Sequence, residues 1–120
     1  MEDKSIILYI ELMDKENWSF NSSNLTRLKN ISHNFEVLDV DNFSSKKLIK
    51  AIEPLLFNKK KIIVFNCKSP NVKLNALTSF LLQLKQEQDN SYYLLGTNQF
   101  LERAFNPQRL VDINEIITFI

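Results

Sequence analysis

One cysteine, one histidine and a loose set of carboxylates are the residues with which this 120-residue chain could do chemistry. Cys67 would be a nucleophile if a cation, a helix N-terminus or a base favoured its thiolate. Lys68 follows it directly, and a helix is expected soon after. His33, the only imidazole, falls by pattern just before the second strand, away from Cys67. A small buried apolar role is the competing account of this thiol. Glu11, Asp14, Asp39 and Asp41 could share a Mg²⁺ ion, which takes one or two carboxylates and several waters. A solvated acidic rim accounts for the same residues. One cysteine and one histidine do not make a zinc site of the Cys/His kind, and no metal is expected.

The single glycine, Gly96, excludes more. Dinucleotide and P-loop fingerprints need several glycines, because the backbone must turn tightly and approach a phosphate. The G-x-S-x-G nucleophile elbow is excluded on the same ground. No cofactor is expected. With 15 Lys+Arg against 14 Asp+Glu, the chain lacks the basic footprint of a nucleic-acid binder. The run Lys59-Lys60-Lys61 reads as a solvated loop at the entrance of a strand. No apolar run is long enough to span a membrane. The acidic start Met1-Glu2-Asp3-Lys4 is not the pattern of a signal peptide, and a cytoplasmic location is expected.

Positioning these residues falls to alternating strands and helices. Ser5–Glu11 is a nearly continuous apolar run, as in a strand covered on both faces. Phe35–Asp41 alternates, Lys61–Cys67 reads as a central strand, and Ser91–Leu95 as a fourth. Ile116–Ile120 is either a fifth strand or a helix. Helices are predicted over Ser22–Ser32, over Ser44–Phe57 with a kink or early end at Pro54, from Ser69-Pro70 to Gln88, and over Asn98–Phe105. Asparagine, at 14 residues, must supply much of the turn chemistry. The polar stretch Leu12–Asn24 is the longest irregular segment, and it holds Trp18 and Phe20. These two aromatic residues are a candidate interface. The order β-α-β-α-β-α-β-α predicts one three-layer α/β/α domain over 1–120, flavodoxin-like, with a four- or five-stranded mostly parallel sheet.

In such sheets ligands bind outside the carboxyl ends of the strands. Glu11, Asp14, Asn66, Cys67 and Thr97 fall there and form a candidate ligand rim. The run Phe65-Asn66-Cys67-Lys68-Ser69-Pro70 resembles the stretch around the phospho-acceptor of response-regulator receiver domains. Asn66 stands at the place of the acceptor aspartate and Pro70 at that of the following proline. Glu11 and Asp14 lie near the place of the acidic pair, and Thr97 near that of the Thr or Ser ending the fourth strand. An amide at Asn66 cannot form the acyl phosphate. The resemblance therefore implies a degenerate receiver that no longer accepts phosphate.

The functional expectation is a non-catalytic regulatory or protein-interaction module, monomer or homodimer, whose partner is another protein. The alternative is a small metal-dependent phosphate-binding protein or enzyme that uses the carboxyl-end rim.

Overall fold

The computed structural model describes residues 5–14, 23–57, 59–69 and 72–120. Five strands, β1 (Ser5–Leu12), β2 (Phe35–Asp41), β3 (Lys61–Cys67), β4 (Ser91–Gly96) and β5 (Gln108–Leu110), form one sheet in the order 2-1-3-4-5. Every pairing is parallel. This is the flavodoxin-like order of doubly wound sheets, and the strand order reverses between β1 and β3.

Helices cover both faces because side chains alternate along each strand. Leu8, Ile10, Leu12, Ile63, Phe65 and Leu94 face one layer, made of α2 (Lys46–Leu56), α3 (Leu77–Gln86) and α4 (Gln99–Phe105). Ile7, Tyr9, Val64, Tyr93 and Leu95 face the other layer, made of α1 (Ser23–Ile31), a 3-10 turn (Ile113–Glu115) and α5 (Ile116–Phe119). Adjacent Tyr92 and Tyr93 accordingly serve opposite faces; Tyr92 packs with Phe65 and Phe105, and Tyr93 with Phe119. β1, flanked by β2 and β3, is buried from Ile6 onward. β2, on the edge, is only half-buried, and its alternating sequence matches that place.

Local signals set the helix ends. The Ser45 hydroxyl accepts from the Leu48 amide and opens α2; the Asn98 side chain accepts from the Leu101 amide and opens α4. Asn106, left-handed at φ 46°, closes α4 ahead of Pro107. Asn75 and Asp89 also have positive φ, so asparagine takes two of the three such non-glycine positions among the described residues.

One open alternative is decided, and three sequence expectations need correction. Ile116–Ile120 is no strand: Ile113 and Ile116 turn together onto Leu28, and α5 occupies the segment. The fifth strand is Gln108–Leu110, too short to carry a periodic signal. The third helix begins at Leu77, not Ser69, because Asn75 at φ 53° interrupts the chain just before it. α2 runs on through Pro54 to Leu56. A proline near the end of a helix removes one hydrogen bond, and few remain beyond it to lose. Lys61 is not solvated: it is 1% exposed. Its ammonium donates to the carbonyls of Leu56 and Lys59 and pairs with Glu87. No described helix is long and apolar enough to cross a membrane.

Candidate functional site

The carboxyl ends of β1 and β3 meet at the point where the strand order reverses, which is where ligands sit in this architecture. Parallel register places Glu11 beside Asn66, and Leu12 beside Cys67. Glu11 and Asn66 share the sheet face of Tyr9, since each lies two residues, or one pleat, from its neighbour on that face. Leu12 and Cys67 point to the opposite face.

Glu11 is only 5% exposed, and its carboxylate is engaged from within the chain. The Tyr9 hydroxyl donates to Glu11 Oε1 at 2.9 Å. Asn66 Nδ2 donates to the Tyr9 oxygen at 2.7 Å and lies 3.4 Å from Glu11 Oε1. Lys68 Nζ stands 3.3 Å from the same oxygen and closes the group as an ion pair. A buried carboxylate needs this kind of compensation, because unpaired burial of its charge is costly. Lys68 can reach it because the strand pairing persists past the end of β3: the Lys68 amide donates to the Leu12 carbonyl at 2.8 Å.

Cys67 lies on the other side of the sheet and is buried. Its Sγ donates to the Ser69 carbonyl at 2.9 Å, and Asn98 Nδ2 approaches the sulfur at 3.8 Å. Burial pushes the thiol above its ordinary 9.0; the two hydrogen bonds pull it back in part, and the charges of Asp14 and Glu102 push it further up. The thiol is therefore protonated at neutral pH, and a thiolate nucleophile is not what this environment prepares. His33 sits exposed in the turn before β2, at the opposite end of the parallel sheet.

The remaining rim residues are spread out. Asp14 and Thr97 are exposed. Asp41 is taken up in the turn before α2, where its Oδ1 accepts from the Phe43 amide at 2.7 Å. Asp39 is exposed on the edge strand. Among the described residues, no three His, Cys, Asp or Glu side chains come together as a metal site. The structure thus joins Glu11 with Asn66 and sets Cys67 near Asn98, while Asp14 and Thr97 stay at the periphery. Trp18, Phe20 and Pro70 lie outside the described residues.

Two contributors escaped the sequence reading, and a third, Asn98, was placed at the end of the fourth strand without its neighbour. Tyr9 could have been found, since period two puts it on the face of Glu11. Asn98 was legible as a helix cap but not as a neighbour of the thiol. Asn42 carried no usable signal. It is 2% exposed and ties three segments together. Its side chain accepts from the Met13 amide at 3.1 Å and donates to the Met13 carbonyl at 2.9 Å and the Lys73 carbonyl at 2.8 Å. Asn75 Nδ2 returns a bond to the Asn42 carbonyl at 2.7 Å. Gly96, at the end of β4, closes the rim: its φ is +88°, and a Cβ there would stand 2.1 Å from the Cys67 carbonyl oxygen.

The arrangement can hold a carboxylate, an amide, a phenol and an ammonium in one self-paired group. It offers no activated nucleophile among the described residues. Comparison with protein-family models, with curated proteins and with solved structures gave no match for the chain.

Proposed function

We propose that the chain is a non-catalytic regulatory or protein-interaction module, of degenerate receiver type, that acts in the cytoplasm on a protein partner. The observation that carries this reading is the state of the crevice between β1 and β3. The carboxylate that would meet a metal ion or a phosphate-bound cation there is already paired with Lys68 and hydrogen-bonded by Tyr9. A cation would have to displace the Lys68 ammonium from Glu11 before it gained that carboxylate, which counts against the fold's usual ligand position being used here. Asn66, where a receiver has its acceptor aspartate, donates to the same group and serves to hold it.

The test is an amide-resolved NMR titration with Mg²⁺, with and without inorganic phosphate. The expected result is the absence of localised, saturable shifts at millimolar ion. Saturable shifts at Glu11, Asp14, Asn66 and Thr97 would overturn the reading in favour of a metal-dependent phosphate binder.

A further inference from the structure

The helical layer made of α2, α3 and α4 is basic. α2 carries three lysines, α3 carries Lys85 and α4 carries Arg103, against Glu53 and Glu102 as the acids of these helices. Glu102 is itself engaged by Arg109. Between α3 and α4 runs a groove of about 450 Å³, lined by Lys85, Gln99, Phe100, Arg103 and Ala104. Phe100, Arg103 and Ala104 fall at i, i+3 and i+4, so one stripe of α4 forms this wall. The Phe100 ring is 41% exposed although it is a large apolar group. Neither Lys85 nor Arg103 forms an ion pair among the described residues. Among the described residues, the groove therefore combines a half-exposed aromatic side chain with two cations that form no ion pair.

We propose that this groove docks an acidic segment of a partner protein, which seats one apolar side chain against Phe100 and sets carboxylates on Lys85 and Arg103. The proposal rests on the reading of the chain as a protein-interaction module and adds the surface and the partner's chemistry. Charge selects the occupant: the face is cationic, in a chain of net charge only +1, so the complement is acidic. The volume suits one leucine or phenylalanine side chain with its adjoining backbone.

The experiment is selection of a displayed random-peptide library on the full chain, followed by affinity measurement on variants. Selected peptides are expected to be acidic with one recurring apolar position. Phe100→Ser, and Lys85→Glu with Arg103→Glu, should each weaken them about tenfold or more, equivalent to about 1.4 kcal/mol. Leu48→Ser, at an exposed leucine of α2 outside the groove, should leave them unchanged. Circular dichroism and melting of each variant establish that it is folded. Peptides that ignore the groove variants but are lost in Trp18→Ala with Phe20→Ala would overturn the groove and keep the interaction module. Binding of phosphatidylglycerol vesicles through the same side chains, with no acidic peptide selected, would overturn it in favour of a membrane surface. Self-association lost on Val111→Arg, the side chain of which is 93% exposed beside Asp112, would make the occupant a second copy and overturn it as well. Selection of no peptide, together with rim shifts on Mg²⁺, would remove both this proposal and the reading beneath it.

Discussion

Gly96 shows how far one residue can be constrained. Its φ of +88° is open to glycine and strained for an L side chain, and its missing Cβ makes room for the Cys67 carbonyl. Gly96→Ala should therefore cost about 3–5 kcal/mol, the sum of backbone strain and steric overlap. Urea unfolding of the variant checks this; a loss below about 1 kcal/mol would show that β3 and β4 part easily there. The sequence pointed to Gly96 as the only glycine but could not say why it was retained. The reason is a contact across two strands, which no local pattern contains. Glu11 and Asn66 were legible as rim residues for the opposite reason: strand ends follow from periodicity, and parallel order then sets the ends side by side. Their partner Lys68 was visible in the sequence, but its pairing with Glu11 depends on register.

At the scale of elements, Asn42 determines how the loops at the carboxyl end are held. It joins the end of β1, the start of the α2 turn and the segment before α3. Asn42→Ala would leave the Met13 amide and two carbonyls without their acceptor or donor. A buried polar group left unsatisfied costs about 1–3 kcal/mol, so the variant should lose about 2–4 kcal/mol in all. The sharper readout is amide hydrogen exchange: Met13 should lose its protection while central β3 amides shift only with global stability. Unaltered exchange at Met13 would mean that water replaces the side chain. The same tether explains the late start of α3. Ser69-Pro70 is a good opening for a helix by local propensity, yet Lys73 and Asn75 are drawn to Asn42 and the helix waits until Leu77. Lys61 is a similar case. Its place in a basic run suggested water, but the parallel sheet turns it inward onto the Leu56 carbonyl at the end of α2, the Lys59 carbonyl and Glu87.

For the whole molecule, the α/β alternation was readable because each central strand is a dense apolar run and each helix has an apolar stripe. The three-residue β5 and one-turn α5 were not, since neither is long enough to show a period. Global stability should depend on alkaline pH. Burial raises both the Cys67 thiol and the Tyr92 phenol above their ordinary 9.0 and 10.0. A raised value means that the folded state holds the proton more tightly than the unfolded chain does. Stability is thus at full value below those ordinary values and falls as pH rises through the raised ones. Urea midpoints should hold from about pH 7 to about pH 8.5 and drop toward about pH 10.5, with Cys67→Ala showing a shallower drop. A flat profile in the parent chain would mean that both groups titrate as if exposed.

The strand order also bears on how the chain is made. β3 adds to β1 on the side away from β2, β4 adds to β3, and β5 adds to β4. As the ribosome releases each strand, it joins a free edge, and none has to be threaded between two already paired. Once Cys67 has emerged, β2, β1 and β3 can stand together as a partial sheet. Its β3 edge then waits for residues as far as Gly96 before β4 covers it. An unpaired edge is a template for the wrong chain. Until β4 arrives, that edge is open to pairing with another chain.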